Sequence, residues 1–126
     1  MKNGLAPGLV REQNFVVTDQ MGVRHFDDGV PSVLSTPSMI MMMERTCMEL
    51  VTPWMDEDEQ TVGFHVDVRH LAPTKIGQGV TVRATLEELQ GQRFRFAVEA
   101  TNDKGVKIGT GTHRRSLIRM QQFTDS

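Results

Sequence analysis

Residues 35–51 read STPSMIMMMERTCMELV, and the fold turns on how this stretch is read. It has the marks of one helix with a defined start. Thr36 is a good N-cap, and Pro37 sits at the first helical position, where its missing N–H costs nothing. At helical spacing Met39, Met43, Cys47 and Leu50 fall on one stripe, with Ile40 and Val51 beside it, while Ser38, Arg45 and Glu49 lie opposite. Glu44 interrupts the pattern at the margin of the stripe, two turns on from Thr36. A carboxylate at the edge of a buried face is either a surface group reaching back to water or a site residue, and spacing alone leaves both readings open.

Working outward, residues 11–17 end in Phe-Val-Val and read as a short first strand. Residues 18–34 hold Gly22, Asp27, Asp28, Gly29 and Pro31 without periodicity, a long loop of the kind that often serves as a lid. Beyond the helix, Pro53 and the acidic run at 56–59 read as a solvated turn. Residues 61–70 then alternate strictly. Val62, Phe64, Val66, Val68 and His70 point one way, and Gly63, His65, Asp67 and Arg69 the other. Pro73 and Gly77 mark a turn before Val80, Val82, Ala84 and Leu86 at period two. Gln90-Gly91-Gln92 reads as a hairpin into Phe94, Phe96, Val98 and Ala100, and Asn102-Asp103-Lys104-Gly105 as the next. The last strand covers 106–120, with Gly109 and Gly111 suggesting a bulge or strong bend.

The order is strand, long loop, helix, then four consecutive antiparallel strands. The helix is the only element available to cover the apolar face of such a sheet. A curved antiparallel sheet wrapped around one central helix is an α+β hotdog fold, here in a single domain spanning residues 1–126. A ferredoxin-like fold needs a second helix, and no second helical period is present.

Composition limits the function classes. A formal net charge of -2 over 126 residues gives no argument for nucleic acid or an anionic membrane as partner. One cysteine, on the apolar stripe, excludes an internal disulfide and suits a reducing compartment. No apolar run is long enough for a signal peptide or a membrane span, so we expect a cytoplasmic protein.

The chemistry gathers at the helix. His70 ends a strand on the face that packs against it, Glu44 borders the stripe, and Thr36 stands at the end where free N–H groups and the dipole favour developing negative charge. A carboxylate, an imidazole, a hydroxyl and a helix N-terminus together can support acyl transfer. Each has a plain structural alternative: Thr36 as a cap only, His70 as a hydrogen-bonding strand end.

Several of these residues coincide with a known pattern. Val23-Arg24-His25, Thr36 through Glu44 to Cys47, Gly63, His70, the run Ile108-Gly109-Thr110-Gly111-Thr112-His113, and Arg115 resemble the fluoroacetyl-CoA thioesterase family of hotdog acyl-CoA thioesterases. The likeness covers most of the chain. It implies a catalytic Thr–Glu–His set at Thr36, Glu44 and His70, a glycine beside the acyl group at Gly63, and an arginine near the active site at Arg115. Family members selective for the fluorinated acyl group carry a phenylalanine-rich lid before the helix. This chain has Asp27 and Val30 near those positions, and Phe26 is its only lid-region aromatic. We therefore read it as a thioesterase acting on a small acyl-CoA whose acyl group these residues leave open.

Two other classes are compatible with the residues: a hotdog dehydratase or hydratase using a carboxylate–histidine pair, and a non-catalytic acyl-CoA binding module. None of the readings calls for a metal or a cofactor, since CoA is part of the substrate. Arg115 and Arg119 share a strand face, with Lys104 and Lys107 upstream, and are candidates for the CoA phosphates, while Arg114 points away. Strand 61–70 is a candidate for pairing across a two-fold, and Met41 and Met48 project from the helix flank. We expect a homodimer with the active site at or near the interface.

Overall fold

The computed structural model describes residues 1–23 and 32–124. The loop residues Arg24, His25, Phe26, Asp27, Asp28, Gly29, Val30 and Pro31, which carry part of the family likeness and the lid comparison, lie outside the described residues.

The helix, α1 (Thr36–Val51), starts one residue earlier than the capping signals suggest. Ser35 is the N-cap: its backbone is extended and its hydroxyl accepts the Ser38 amide at 3.2 Å. Thr36 is thus the first helical residue rather than the cap. Pro37 remains in the first turn, where an amide has no helical acceptor. Met39, Met43, Cys47, Leu50 and Val51 are buried as the stripe requires, and Met42 and Thr46 join them. Thr46 tolerates burial because its hydroxyl donates to the Met42 carbonyl at 2.8 Å. The buried arc is wider than the stripe because the sheet curls around the helix.

That sheet has five antiparallel strands, β1 (Val10–Val16), β2 (Glu59–His70), β3 (Gly79–Gln90), β4 (Arg93–Asn102) and β5 (Lys107–Arg119), in the order β1-β3-β4-β5-β2. Sequence neighbours β2 and β3 are not partners. The link between them carries the chain across the sheet, so β2 becomes an edge strand paired with β5 alone. Val80, Val82, Ala84 and Leu86 of β3, and Phe94, Phe96, Val98 and Ala100 of β4, form the buried inner face against α1. Each large side chain among them contributes roughly 1.5–3 kcal/mol by leaving water. A Cβ on Gly109 would stand 2.5 Å from the Met39 sulfur and 3.0 Å from the Met43 methyl, so the glycine lets the helix settle onto β5. The irregularity expected near Gly109 is a register shift opposite Ala100 and Thr101.

Two readings of the sequence change here. The acidic run is solvated only at Asp56, Glu57 and Asp58. Glu59 opens β2 and is buried, its Oε2 3.4 Å from Arg119 Nη1. The strict alternation of residues 61–70 also breaks, because the register against β5 shifts between Gly63 and His65. Phe64 is the extra residue of a bulge. Thr61 and Gly63 face the helix before it, and Val66, Val68 and His70 after it. A one-residue insertion inverts the phase of a strand, so Gly63 and His70, expected on opposite faces, lie on the same one.

Among the described residues no helix is long and apolar enough to cross a membrane. A four-residue helical turn, Gln121–Thr124, follows β5.

Candidate active site

Because Ser35 caps α1, the Thr36 hydroxyl is free for another partner. Its Oγ1 lies 2.8 Å from Nδ1 of His70, the residue that ends β2. The pair borders a cavity of about 340 Å³ whose walls include Val23, Val33, Leu71, Ala72 and Pro73. Burial lowers the His70 pKa from its ordinary value, against an opposing pull from the Ala72 backbone, so the imidazole is neutral at pH 7. Its Nε2 is buried and has no hydrogen-bond partner in the structure. One face of this imidazole is oriented by Thr36, and its other nitrogen is uncommitted.

Glu44 heads a second group two turns along the helix. Its Oε2 would meet a Cβ on Gly63 at 3.0 Å, and the His113 ring would meet the same atom at 2.7 Å. Only a glycine at this point of β2 lets the carboxylate and the ring approach together. Oε2 also lies 3.9 Å from Nη1 of Arg115, whose side chain is 7% exposed against 37% for Glu44. The guanidinium donates from Nε to Thr61 Oγ1 at 2.8 Å, from Nη2 to the Thr61 carbonyl at 2.8 Å, and from Nη1 to His113 Nε2 at 3.1 Å. Burial lowers the Arg115 pKa, yet a guanidinium keeps its proton in proteins, so a fixed positive charge stands beside Glu44. Cys47, one turn further along α1, is pushed up to about 12 by burial and is a protonated thiol rather than a nucleophile.

The structure therefore joins Thr36 to His70 and Glu44 to Gly63 and Arg115, but leaves the two groups apart. Eight residues of helix at 1.5 Å each separate Thr36 from Glu44 by roughly 12 Å. Arg119 belongs to neither group, since its Nη1 lies 3.7 Å from Asp58 and 3.4 Å from Glu59 at the far end of β2. Lys107 pairs with Glu99 at 3.4 Å, and Lys104 is exposed in the β4–β5 turn. Arg114 is exposed on the outer face, as its alternation requires, and borders a smaller cavity with Phe64, Arg93 and Arg95. The sequence reading gave no role to His113 or Thr61. Counting back by twos along β5 from buried Leu117 places His113 beside Arg115 on the inner face, and that was the available signal. Among the described residues no three His, Cys, Asp or Glu side chains form a group able to hold a metal ion.

Comparison with known proteins agrees with the fold. The sequence profile of the FlK family, fluoroacetyl-CoA-specific thioesterases, matches residues 17–121. A fluoroacetyl-CoA thioesterase from Streptantibioticus cattleyicolor is 33% identical over 129 residues, which span 98% of this chain and 92% of that protein. The solved structure of the fluoroacetyl-CoA thioesterase FlK superposes with a TM-score of 0.88 at 32% identity, covering 98% of this chain and 95% of that one. A hypothetical protein of Thermus thermophilus, a thioesterase superfamily member, gives the same TM-score at 30% identity, over 98% of this chain and 90% of its own.

Proposed function

The chain belongs to the family of fluoroacetyl-CoA-specific thioesterases, and from that membership we propose that it hydrolyses a small acyl-CoA to the acid and free CoA, with Thr36, Glu44 and His70 as the reacting set. The observation that carries this reading is the Thr36–His70 pair at the wall of an open cavity, with the imidazole Nε2 uncommitted. A neutral imidazole in that setting is a proton acceptor.

In this mechanism Nδ1–H of His70 donates to Thr36 Oγ1, which leaves the Nε2 lone pair for the attacking water. When water attacks the thioester directly, His70 takes its proton and returns it to the CoA thiolate as the C–S bond breaks. When Glu44 attacks first, CoA leaves as a thiolate protonated by solvent, and His70 takes the proton of the water that opens the anhydride. The Glu44 carboxylate either forms the acyl bond itself, giving a mixed anhydride that the water opens, or orients that water. A burst of free thiol equal to the enzyme concentration marks the anhydride route. Backbone N–H groups at the start of α1 or near Gly63 hold the oxyanion. The chain works as one hotdog domain over residues 1–126 and needs no metal or cofactor beyond the CoA of its substrate. We place it in the cytoplasm, where its one buried cysteine stays reduced.

The separation of the two groups is resolved by a second copy. β2 is an edge strand with Val62, Phe64 and Val66 exposed, and Met41 and Met48 are exposed on α1. An unpaired apolar edge of this kind recruits a strand. Antiparallel pairing of β2 with its copy, about an axis near the middle of the strand, sets His70 of one protomer opposite the Gly63 end of the other. Thr36 and His70 of one copy then face Glu44 and Gly63 of its partner. The same operation carries Arg119 to the His70 end of the partner's β2, and we assign it there to the CoA phosphates, with Gly63 beside the acyl group and Arg115 behind Glu44.

The test is a panel of small acyl-CoA thioesters assayed for free thiol, acyl-chain hydration and binding, with Glu44→Gln and His70→Ala alongside. Thiol release that falls roughly a hundredfold or more in both variants is the expected result. Hydration or binding without thiol release, or a Glu44→Gln protein that folds and hydrolyses at the parental rate, overturns the reading.

A further inference from the structure

We propose that His113 is a positioning residue of this site: its neutral ring engages an Arg115 N–H that Glu44 would otherwise accept, and so keeps the carboxylate free to react. The inference rests on the reading of Glu44 as the reacting carboxylate.

His113 is buried, 1% exposed, with its ring 6.3 Å from that of Phe96. Its protonation pattern follows from its neighbours. Arg115 Nη1 can only donate, so Nε2 of His113, 3.1 Å away, must be the acceptor. The ring proton then sits on Nδ1, which donates to the His65 carbonyl at 2.8 Å. Among the described residues the charged groups that face the ring are Arg115 from β5 and Glu44 from α1, with the His65 imidazole of β2 nearby on the opposite face of the sheet. Burial, the largest influence on the ring, favours the neutral form.

The geometry of Arg115 shows what this ring does. Two of its nitrogens are anchored on Thr61. The third, Nη1, points toward both His113 and Glu44, and it makes its hydrogen bond with the histidine while standing 3.9 Å from Glu44 Oε2. At 3.9 Å the guanidinium supplies a compensating charge without occupying a carboxylate lone pair; a direct charge-assisted bond closes to about 2.7–2.9 Å. Without the histidine acceptor, Nη1 turns to the nearest anion, which is Glu44. The carboxylate is then tied to Arg115 and withdrawn from the acyl carbon.

Three variants separate the two ends of the ring. His113→Gln keeps an acceptor where Nε2 stands. His113→Asn keeps only a donor near Nδ1, and His113→Phe keeps neither. With folding checked by thermal melting, we expect His113→Asn and His113→Phe to lower kcat about tenfold or more, the scale of one hydrogen bond to a charged group, with KM little changed. His113→Gln should recover most of the lost rate, and in a Glu44→Gln background His113→Asn should add no further loss. Equal kcat in His113→Asn and His113→Gln overturns the proposal. So does 15N NMR of the unsubstituted protein at pH 7 showing the ring protonated on Nε2, a measurement that holds even if every variant fails to fold. A fully active Glu44→Gln protein instead defeats the catalytic reading of Glu44, so the two failures are told apart.

Discussion

The Thr36 hydroxyl and the His70 Nδ1 stand 2.8 Å apart because Ser35, one residue upstream, caps α1. Adjacent hydroxyls at one helix terminus thus have separate tasks. Ser35 satisfies an orphan amide of the first turn, and Thr36 orients an imidazole at the wall of a cavity.

That division separates stability from activity. Ser35→Ala should cost about 1 kcal/mol of unfolding free energy, the usual effect of losing a side-chain cap, and leave kcat nearly unchanged. Thr36→Ala should do the reverse, with little loss of stability and a fall in kcat of roughly tenfold or more. Thr36→Ser, which keeps a hydroxyl, should be milder. Urea unfolding and a thiol-release assay on the three proteins check the pattern, and a Thr36→Ala protein destabilised as much as Ser35→Ala would return Thr36 to the role of cap.

Gly63→Ala tests the close approach on β2. The added methyl would stand 2.7 Å from the His113 ring and 3.0 Å from Glu44 Oε2. The carboxylate can swing away, but the ring is held by two hydrogen bonds, so the strain falls on Glu44 and the local backbone. We expect a loss of about 1–3 kcal/mol, typical of overpacking, and a fall in kcat larger than that loss alone produces. Parental kcat in a folded Gly63→Ala protein would show that this corner of the site takes no part in the reaction.

Mixing two inactive variants tests the composite site. His70→Ala and Glu44→Gln homodimers each lack one half of every site. Half of the dimers in a re-equilibrated equimolar mixture are mixed, and each of those has one intact site, so about a quarter of the parental activity should return. No recovery after exchange, or a monomer mass by light scattering at micromolar concentration, counts against the two-copy arrangement.

The pH dependence has a definite sign. His70 and His113 both titrate below their ordinary value because burial disfavours the imidazolium. Below pH 6.5 the unfolded chain therefore binds more protons than the folded one, and stability falls as pH drops toward the folded pKa values. Ordinary carboxylates titrate near pH 4, below this window. Urea midpoints should thus be lower at pH 5 than at pH 8, and His70→Asn should reduce the difference. Activity should fall over the same acid range as His70 ceases to accept a proton. Identical midpoints at the two pH values would contradict the burial of both rings.

The sequence by itself determined the elements and the broad architecture. The methionine-rich stripe of residues 39–51 requires a cover, and period-two apolar runs on both sides of Gly91 and Gly105 supply one in the form of a sheet. Local spacing also brought Thr36, Glu44 and His70 forward, since a hydroxyl, a carboxylate and an imidazole near one helix are legible in one dimension. Three features needed the tertiary structure. The place of β2 at the edge of the sheet depends on which long-range pairing is most favourable, and residues 61–70 carry no mark of their neighbour. The bulge at Phe64 appears only when β2 is laid against β5, because an extra residue is defined by the strand opposite it, and it alone brings Gly63 and His70 to one face. The partnership of His113, Arg115 and Thr61 joins residues 54 positions apart, and hydrogen bonds over such a span are set by the closing of the sheet, which no local pattern encodes.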